Sequence, residues 1–352
     1  MQNETAVKNL LDFTKEELTD YIVGLGLPKF RGEQLYLALQ QGKKIDEITN
    51  LPKSVLEEIK DKYPSFKIVK KLESKDGTKK YVYQYKDGEI VEGVFMRYKY
   101  GNTLCVSTQV GCRMGCKFCA SGLHGLIRNL SSGEILEQIL AVNKDNGGDL
   151  KKRAVTNVVL MGSGEPLDNY DNVTKFLRLV GEEKGINISL RNISLSTCGI
   201  VPNMKRLCDD GFTVTLTVSL HASNDEVRKQ TMPIANKYSI SEILDACKYY
   251  FEKTGRRVIF EYTLVDGVND KDEYVEELAK KLVGFSCHVN VIPLNYVKER
   301  GLKGSPIKRA HEFCEKLNKK GISATVRRTL GSDIGGACGQ LRNQIISENG
   351  GK

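Results

Sequence analysis

The sequence predicts an α/β fold: a parallel sheet with crossover helices, closed or partly closed on itself, preceded by a small helical module and a β-hairpin. Three observations predict it. Six short β-type runs alternate with helical runs from residue 101 onward, and such alternation implies parallel strands joined by right-handed crossovers. Ahead of them the apolar period is helical to about residue 63 and then changes to two. Finally, the strings able to carry chemistry follow strand carboxyl ends, where sheets of this class build their sites.

The first helix opens at the capping box Thr14-Lys-Glu-Glu17, continues through Leu18, Tyr21, Ile22 and Leu25, and stops at Gly26 and Pro28. A second spans Phe30 to Leu39. A third starts after Leu51-Pro52 and lines one face with Val55, Leu56 and Ile59. Residues 1–65 thus form a helical accessory module, suited to nucleic-acid docking or to ordinary three-helix packing. Residues 66–100 read as a hairpin linker: Thr78 to Tyr85, a turn at Lys86-Asp87-Gly88, and a return strand from Glu89 to Phe95. Glu92 sits in that return strand, where pattern alone suggests a solvent-facing ladder residue.

Over residues 101–330 the strands run Thr103 to Thr108, Val155 to Met161, Asn192 to Ser196, Thr213 to Ser219, Val258 to Thr263 and His288 to Ile292. Helical runs fall at Gly133 to Val142, Asn172 to Val180, Pro202 to Leu207, Ile240 to Phe251 and Glu273 to Leu282. Cys112 to Cys119 follows the first strand, Gly162-Ser-Gly-Glu-Pro166 the second, Ser196-Thr-Cys-Gly199 the third, Ser219-Leu-His221 the fourth and Pro293-Leu-Asn295 the sixth. Each is an ordinary strand-end turn by itself. Together they outline one pocket. Residues 331–352 form a glycine-rich loop and tail.

With 352 residues and 40% hydrophobic content the chain has room for one barrel-sized core and a smaller module. The start lacks the order of a secretory signal, and no run approaches the roughly eighteen apolar residues of a membrane span. A cytoplasmic protein away from membranes, acting as a monomer, is expected. The ten cysteines are scattered rather than framed as in a small secreted domain, which suits reducing surroundings. A formal charge of +9 gathers in clusters such as Lys151-Lys152-Arg153, Lys308-Arg309 and Arg327-Arg328. These suit a phosphate backbone and equally a solvated surface.

Cys112-Arg-Met-Gly-Cys116-Lys-Phe-Cys119 places three thiols where they can converge on one soft inorganic centre. Three ligands leave such a centre one position short, which is where a substrate or cofactor can bind. Structural zinc wants a closed set of four, and His124 would have to supply the last ligand. An iron–sulfur site is the better match.

These residues resemble the radical S-adenosylmethionine enzymes, whose signature is Cys-x3-Cys-x2-Cys after the first strand of a partial (β/α)6 barrel. A narrower match, carried by Thr108-Gln-Val-Gly-Cys112, Val159-Leu-Met-Gly-Ser-Gly-Glu-Pro166, Ser219-Leu-His-Ala222, Met232-Pro-Ile234 and Ala337-Cys-Gly-Gln-Leu341, is similar to the bacterial methyltransferases that modify adenine C2 in 23S rRNA and tRNA. The resemblance implies a [4Fe-4S] cluster on Cys112, Cys116 and Cys119 that holds S-adenosylmethionine by its amino and carboxylate groups. Gly164 and Glu165 would hold the methionine amino end, Ser196 with Ser219, Leu220 and His221 the nucleoside and carboxylate, and Asn295 the ribose side. Ser163 stands where relatives often carry an apolar residue.

The resemblance also implies a cycle. One S-adenosylmethionine methylates Cys338; a second yields the radical that takes hydrogen from that S-methyl group. The resulting methylene radical adds to adenine C2, Glu92 accepts the C2 proton, and Cys105 attacks Cys338 sulfur, leaving a disulfide. An external electron donor of the flavodoxin type is required. Without the resemblance, Cys338 reads as an inconsequential loop thiol and Cys105 as a buried packing residue. Cys198, Cys208, Cys247, Cys287 and Cys314 read as packing residues, and His124, His288 and His311 as structural. Two alternatives remain open at this point: the sister activity at adenine C8, and a zinc-stabilised RNA-binding protein without catalysis.

Overall fold

The computed structural model describes residues 9–64 and 66–335. Helix α1 (Lys15–Gly24) opens on the complete Thr14/Glu17 capping box, and α2 (Lys29–Gln40) and α3 (Lys53–Ile59) each start after a proline. Leu18, Ile22, Leu35, Leu39 and Ile59 are buried and belong to one continuous apolar core shared with the rest of the chain. Polar contacts fix the junction: the Asp12 carboxylate accepts from Gly133 N at 2.6 Å and Ser132 Oγ at 2.9 Å.

Three antiparallel strands follow, β1 (Lys67–Glu73), β2 (Lys79–Gln84) and β3 (Ile90–Tyr98). The sequence reading found the β2–β3 hairpin and did not mark β1 as a third strand. Strand β1 is almost wholly exposed, so no inward-facing residue alternates with its lysines. A two-residue turn leads from β3 into β4 (Gly101–Cys105), which pairs antiparallel with β3 and parallel with β7.

Strands β5 (Gln109–Gly111) and β6 (Leu126–Asn129) then form a separate two-stranded ribbon. From there strand and helix alternate: α4 (Ser132–Asp145), β7 (Asn157–Leu160), α5 (Tyr170–Val180), β8 (Ile193–Thr197), α6 (Val201–Asp209), β9 (Thr215–Ser219), α7 (Asp225–Thr231), α8 (Ile240–Thr254), β10 (Val258–Leu264), α9 (Asp272–Leu282), β11 (Cys287–Pro293), α10 (Ile307–Lys319) and β12 (Ala324–Val326).

The main sheet has the order β1-β2-β3-β4-β7-β8-β9-β10-β11-β12 and is open at β1 and β12. Its parallel portion contains the six expected strands and a seventh, β12, too short to register as a period. Five of the six lie within two residues of their expected spans, and β4 ends three residues early. Among the described residues no helix is long and apolar enough to cross a membrane.

Candidate active site

The carboxyl ends of β4 and β7 to β11 surround a cavity of about 440 Å³, a size that accepts a cofactor-sized ligand. Cys105, Cys112, Cys116, Cys119, Gly164, Glu165, Ser196, Ser219, His221 and Asn295 all line it. Residues from six chain segments therefore meet as the strand-end argument expects. Two expected site residues lie off this wall. Leu220 is fully buried in the core, and Glu92 lies on β3 without lining the cavity. Cys338 lies outside the described residues.

The three cluster cysteines occupy the loop between β5 and β6. Gly111 has φ of 80°, and a Cβ there would stand 2.0 Å from Gly125 O, so only glycine closes this ribbon. Three backbone contacts pin the loop: Cys112 N donates to Gly125 O at 2.9 Å, Lys117 N to Thr231 O at 2.8 Å, and Arg300 Nε to Cys119 O at 3.3 Å. Burial pushes the Cys112 thiol up to about 12 and raises Cys116 as well, so a metal must displace protons to bind. The cysteines are partly exposed on the cavity wall, which fits a cluster held by three thiolates with one corner open. Among the described residues no three His, Cys, Asp or Glu side chains cluster as ligands of a single metal ion.

Gly164 and Glu165 are set by the chain around them. Gly164 has φ of 106° and packs so closely on Gln109 that a Cβ would lie 2.6 Å from Gln109 Cβ. Glu165 N donates to Gln109 Oε1, while its carboxylate accepts from Cys198 N at 2.7 Å and Leu167 N at 3.0 Å. Burial raises the Glu165 carboxyl above its ordinary range. The Ser163 hydroxyl donates to Gly111 O at 3.3 Å at the base of the ribbon. Cys198, read from the sequence as a packing residue, is buried yet lines the cavity, because it follows β8 directly.

His221 has φ of 55° and is buried edge-on to Phe118 at 4.8 Å. Its Nδ1 accepts from Thr263 N at 3.0 Å, which leaves the ring proton on Nε2. Burial, with Arg228 second, pushes the imidazole down to about 3, so it is neutral. Arg228 on α7 is itself fully buried. It donates to Cys198 O, Ser219 O and Leu220 O and thereby ties the ends of β8 and β9.

Sequence reasoning missed two charged residues. Glu261, in the middle of β10, accepts from Ser196 Oγ at 3.2 Å, Ser219 Oγ at 3.3 Å and Arg327 Nη1 at 3.2 Å. A glutamate within Val258-Ile-Phe-Glu-Tyr-Thr-Leu264 was the available signal. Lys80, on β2, is fully buried and pairs with Glu92 at 3.0 Å. Glu92 is correspondingly buried rather than solvent-facing. Among the described cysteines no disulfide is formed.

The radical SAM superfamily model matches residues 106–282. The chain is 51% identical over 97% of its length, and 100% of the relative's, to a probable dual-specificity RNA methyltransferase RlmN of Clostridium novyi. It is 50% identical over 98% of its length, and 99% of the relative's, to the protein of the same description from Clostridium perfringens. The crystal structure of a radical SAM methyltransferase from Sphaerobacter thermophilus superposes with a TM-score of 0.89 at 41% identity, covering 94% of this chain and 98% of that one.

Proposed function

Because the chain belongs to the radical SAM superfamily and, within it, to the RlmN-type RNA methyltransferases, we propose that it forms 2-methyladenosine in 23S rRNA and in tRNA through an S-methylcysteine at Cys338. The observation that carries this reading is the meeting of Cys105, the three cluster cysteines and the Gly164-Glu165, Ser196, Ser219, His221 and Asn295 strand ends in one cavity. When bound, a [4Fe-4S] cluster and S-adenosylmethionine supply the methyl group and the means of removing hydrogen from it, with two S-adenosylmethionines used per methylation.

The chain's own residues do the rest. Cys112, Cys116 and Cys119 hold the cluster, and Gly164, Glu165, Ser196, Ser219, His221 and Asn295 hold the cofactor around it. Cys338 carries the one-carbon unit to adenine C2, Glu92 accepts the C2 proton, and the Cys105 thiol attacks Cys338 sulfur to release the RNA. In that last step a sulfur–sulfur bond forms and the sulfur–methylene bond breaks, its electron pair leaving with the carbon, which takes up a proton to become the methyl group; the Cys105 thiol gives up its own proton, and the single electron left over from radical addition would pass back to the oxidised cluster. Cys105 lines the cavity and Glu92 lies on the same face of the adjoining strand, two residues from the partner of Cys105. Thiol exchange resets the disulfide.

Residues 1–65 act in this reading as an accessory RNA-docking module, 66–100 as the strand linker, 101–330 as the catalytic partial barrel and 331–352 as the arm bearing Cys338. A cytoplasmic monomer served by a flavodoxin-type electron donor completes it, since the thiols need reducing surroundings. The test is anaerobic reconstitution followed by mass spectrometry of the RNA product against nucleoside standards. An absorbance near 400 nm that dithionite bleaches, together with 2-methyladenosine, is expected. 8-Methyladenosine alone would overturn the regiochemistry, and stoichiometric colourless zinc would overturn the enzyme mechanism. Cys105→Ala should in addition accumulate RNA covalently joined to Cys338, and normal turnover of that variant would remove Cys105 from the cycle.

A further inference from the structure

Lys80 belongs to none of the motifs that point to the site, yet it is a fully buried lysine, and lysines are almost never fully buried unless paired. Its ammonium stands 3.0 Å from Glu92 Oε2 and donates to Gly335 O at 2.6 Å. Lys80 pairs across β2–β3 with Val94, and Val94 pairs across β3–β4 with Cys105. Directly opposed residues share a face. Lys80, Glu92 and Cys105 therefore project from the same side of the sheet.

Gly335 lies three residues before Cys338, and its approach is held by the β1–β2 turn. The Asp333 carboxylate accepts from Ser74 Oγ at 2.5 Å and Lys75 N at 3.2 Å, while Gly331 N donates to Asp76 Oδ2 at 2.9 Å. Hydrogen bonds from Gly331 first, then Thr78, hold the Asp76 carboxyl down at about 2. The β1–β2 hairpin is thus a dock for residues 331–335, and Lys80 joins that dock to Glu92.

We propose that Lys80 is a positioning residue: one buried ammonium that fixes the Glu92 carboxylate and the Gly335 carbonyl in a single arrangement, so that the proton acceptor and the arm bearing Cys338 are set together. An ammonium suits this task because it is compact and has three donors that can serve both acceptors at once. Without it Glu92 loses the counter-ion of a buried carboxylate and leaves its orientation. The inference rests on the roles given to Glu92 and Cys338 above.

The test uses full-length, anaerobically reconstituted Lys80→Met enzyme and an RNA fragment that the wild type methylates. Mass spectrometry reads the steps separately: S-methylation of Cys338 without RNA, then methylated RNA and RNA joined to protein. We expect S-methylation lowered by less than about tenfold, because Ser74, Lys75 and Asp76 still hold the arm, methylated RNA lowered about 100-fold, as for loss of a positioned acid–base group, and RNA accumulating on Cys338 with Cys105 intact. Adding Cys105→Ala should change nothing further. Wild-type turnover, or S-methylation and RNA methylation falling in equal proportion without the joined species, would overturn the proposal. Should Lys80→Met fail to fold, as judged by its melting temperature, Lys80→Gln, which retains a donor, is read by the same criteria. A wild type that never carries S-methylcysteine would instead overturn the assignment of Cys338.

Discussion

Glu261 receives two serine hydroxyls and one guanidinium at the point where β8, β9 and the segment after β12 converge. Replacing it with Gln keeps the shape and removes the charge, so the Ser196 and Ser219 hydroxyls lose a charge-assisted acceptor worth about 1.5–3 kcal/mol in total. Glu261→Gln should weaken S-adenosylmethionine binding about tenfold, and equilibrium binding to the reconstituted protein checks it. An unchanged affinity would mean that Glu261 organises the fold alone. The contrast with the motif residues shows what sequence reasoning can see at this scale. Cys112, Cys116 and Cys119 announce themselves because their ligand spacing is local, and Gly164-Glu165 because a strand end and a glycine coincide. Glu261 and Lys80 find their partners 66 and 255 residues away, and a lone charge in a strand has no local signature of such a partner.

Among the elements, the β5–β6 ribbon has a geometry that a methyl group can break. Gly111→Ala sets a Cβ against Gly125 O at a positive φ, and the loop between the strands holds all three cluster cysteines. Iron content after reconstitution should fall severely in that variant while the melting temperature of the apoprotein changes by only a few degrees. Helix α4 carries a second test. Glu137 is buried where the helix meets the chain entering β1, its carboxylate accepting from Phe66 N at 3.3 Å, and burial holds its carboxyl up at about 8. The native chain keeps a proton that the unfolded chain releases above about 4.5, so this contribution to stability is full below about 4.5 and lost as pH rises through 8. Glu137→Gln should remove that decline. Urea midpoints at pH 5 and pH 8 should converge in the variant, by an amount on the order of a few kcal/mol in the wild-type difference. Elements with a buried face were legible: α1 through its capping box, and β7 to β11 through their apolar runs. Strand β1, exposed along nearly its whole length, and the three-residue β12 presented no period to read.

At the scale of the molecule, a net charge of +9 and two arginines lining the cavity, Arg327 and Arg328, suit a polyanionic substrate. The RNA-dependent step should weaken steeply with salt through counter-ion release, while the proposed S-methylation of Cys338, which would involve no RNA, should not. Rates of the two steps at 50 and 200 mM salt check this, and parallel salt dependence would argue against an electrostatic RNA face. The sequence order of strands and crossovers was enough to place the cavity at the strand ends. It did not disclose that the linker and the barrel are one sheet, because pairing of β3 with β4 is a tertiary fact carried by a two-residue turn. That turn, Lys99-Tyr100, has a reach well beyond its size. A strand's side chains alternate with period two, so one inserted residue that slipped β3 against β4 would send Glu92, Val94 and Met96 to the opposite face of the sheet. The carboxylate proposed as proton acceptor would then point away from Cys105 although neither residue had been touched. The permitted length of an exposed hairpin loop is in this sense an active-site parameter, and insertion tolerance there should be far lower than its surface position suggests.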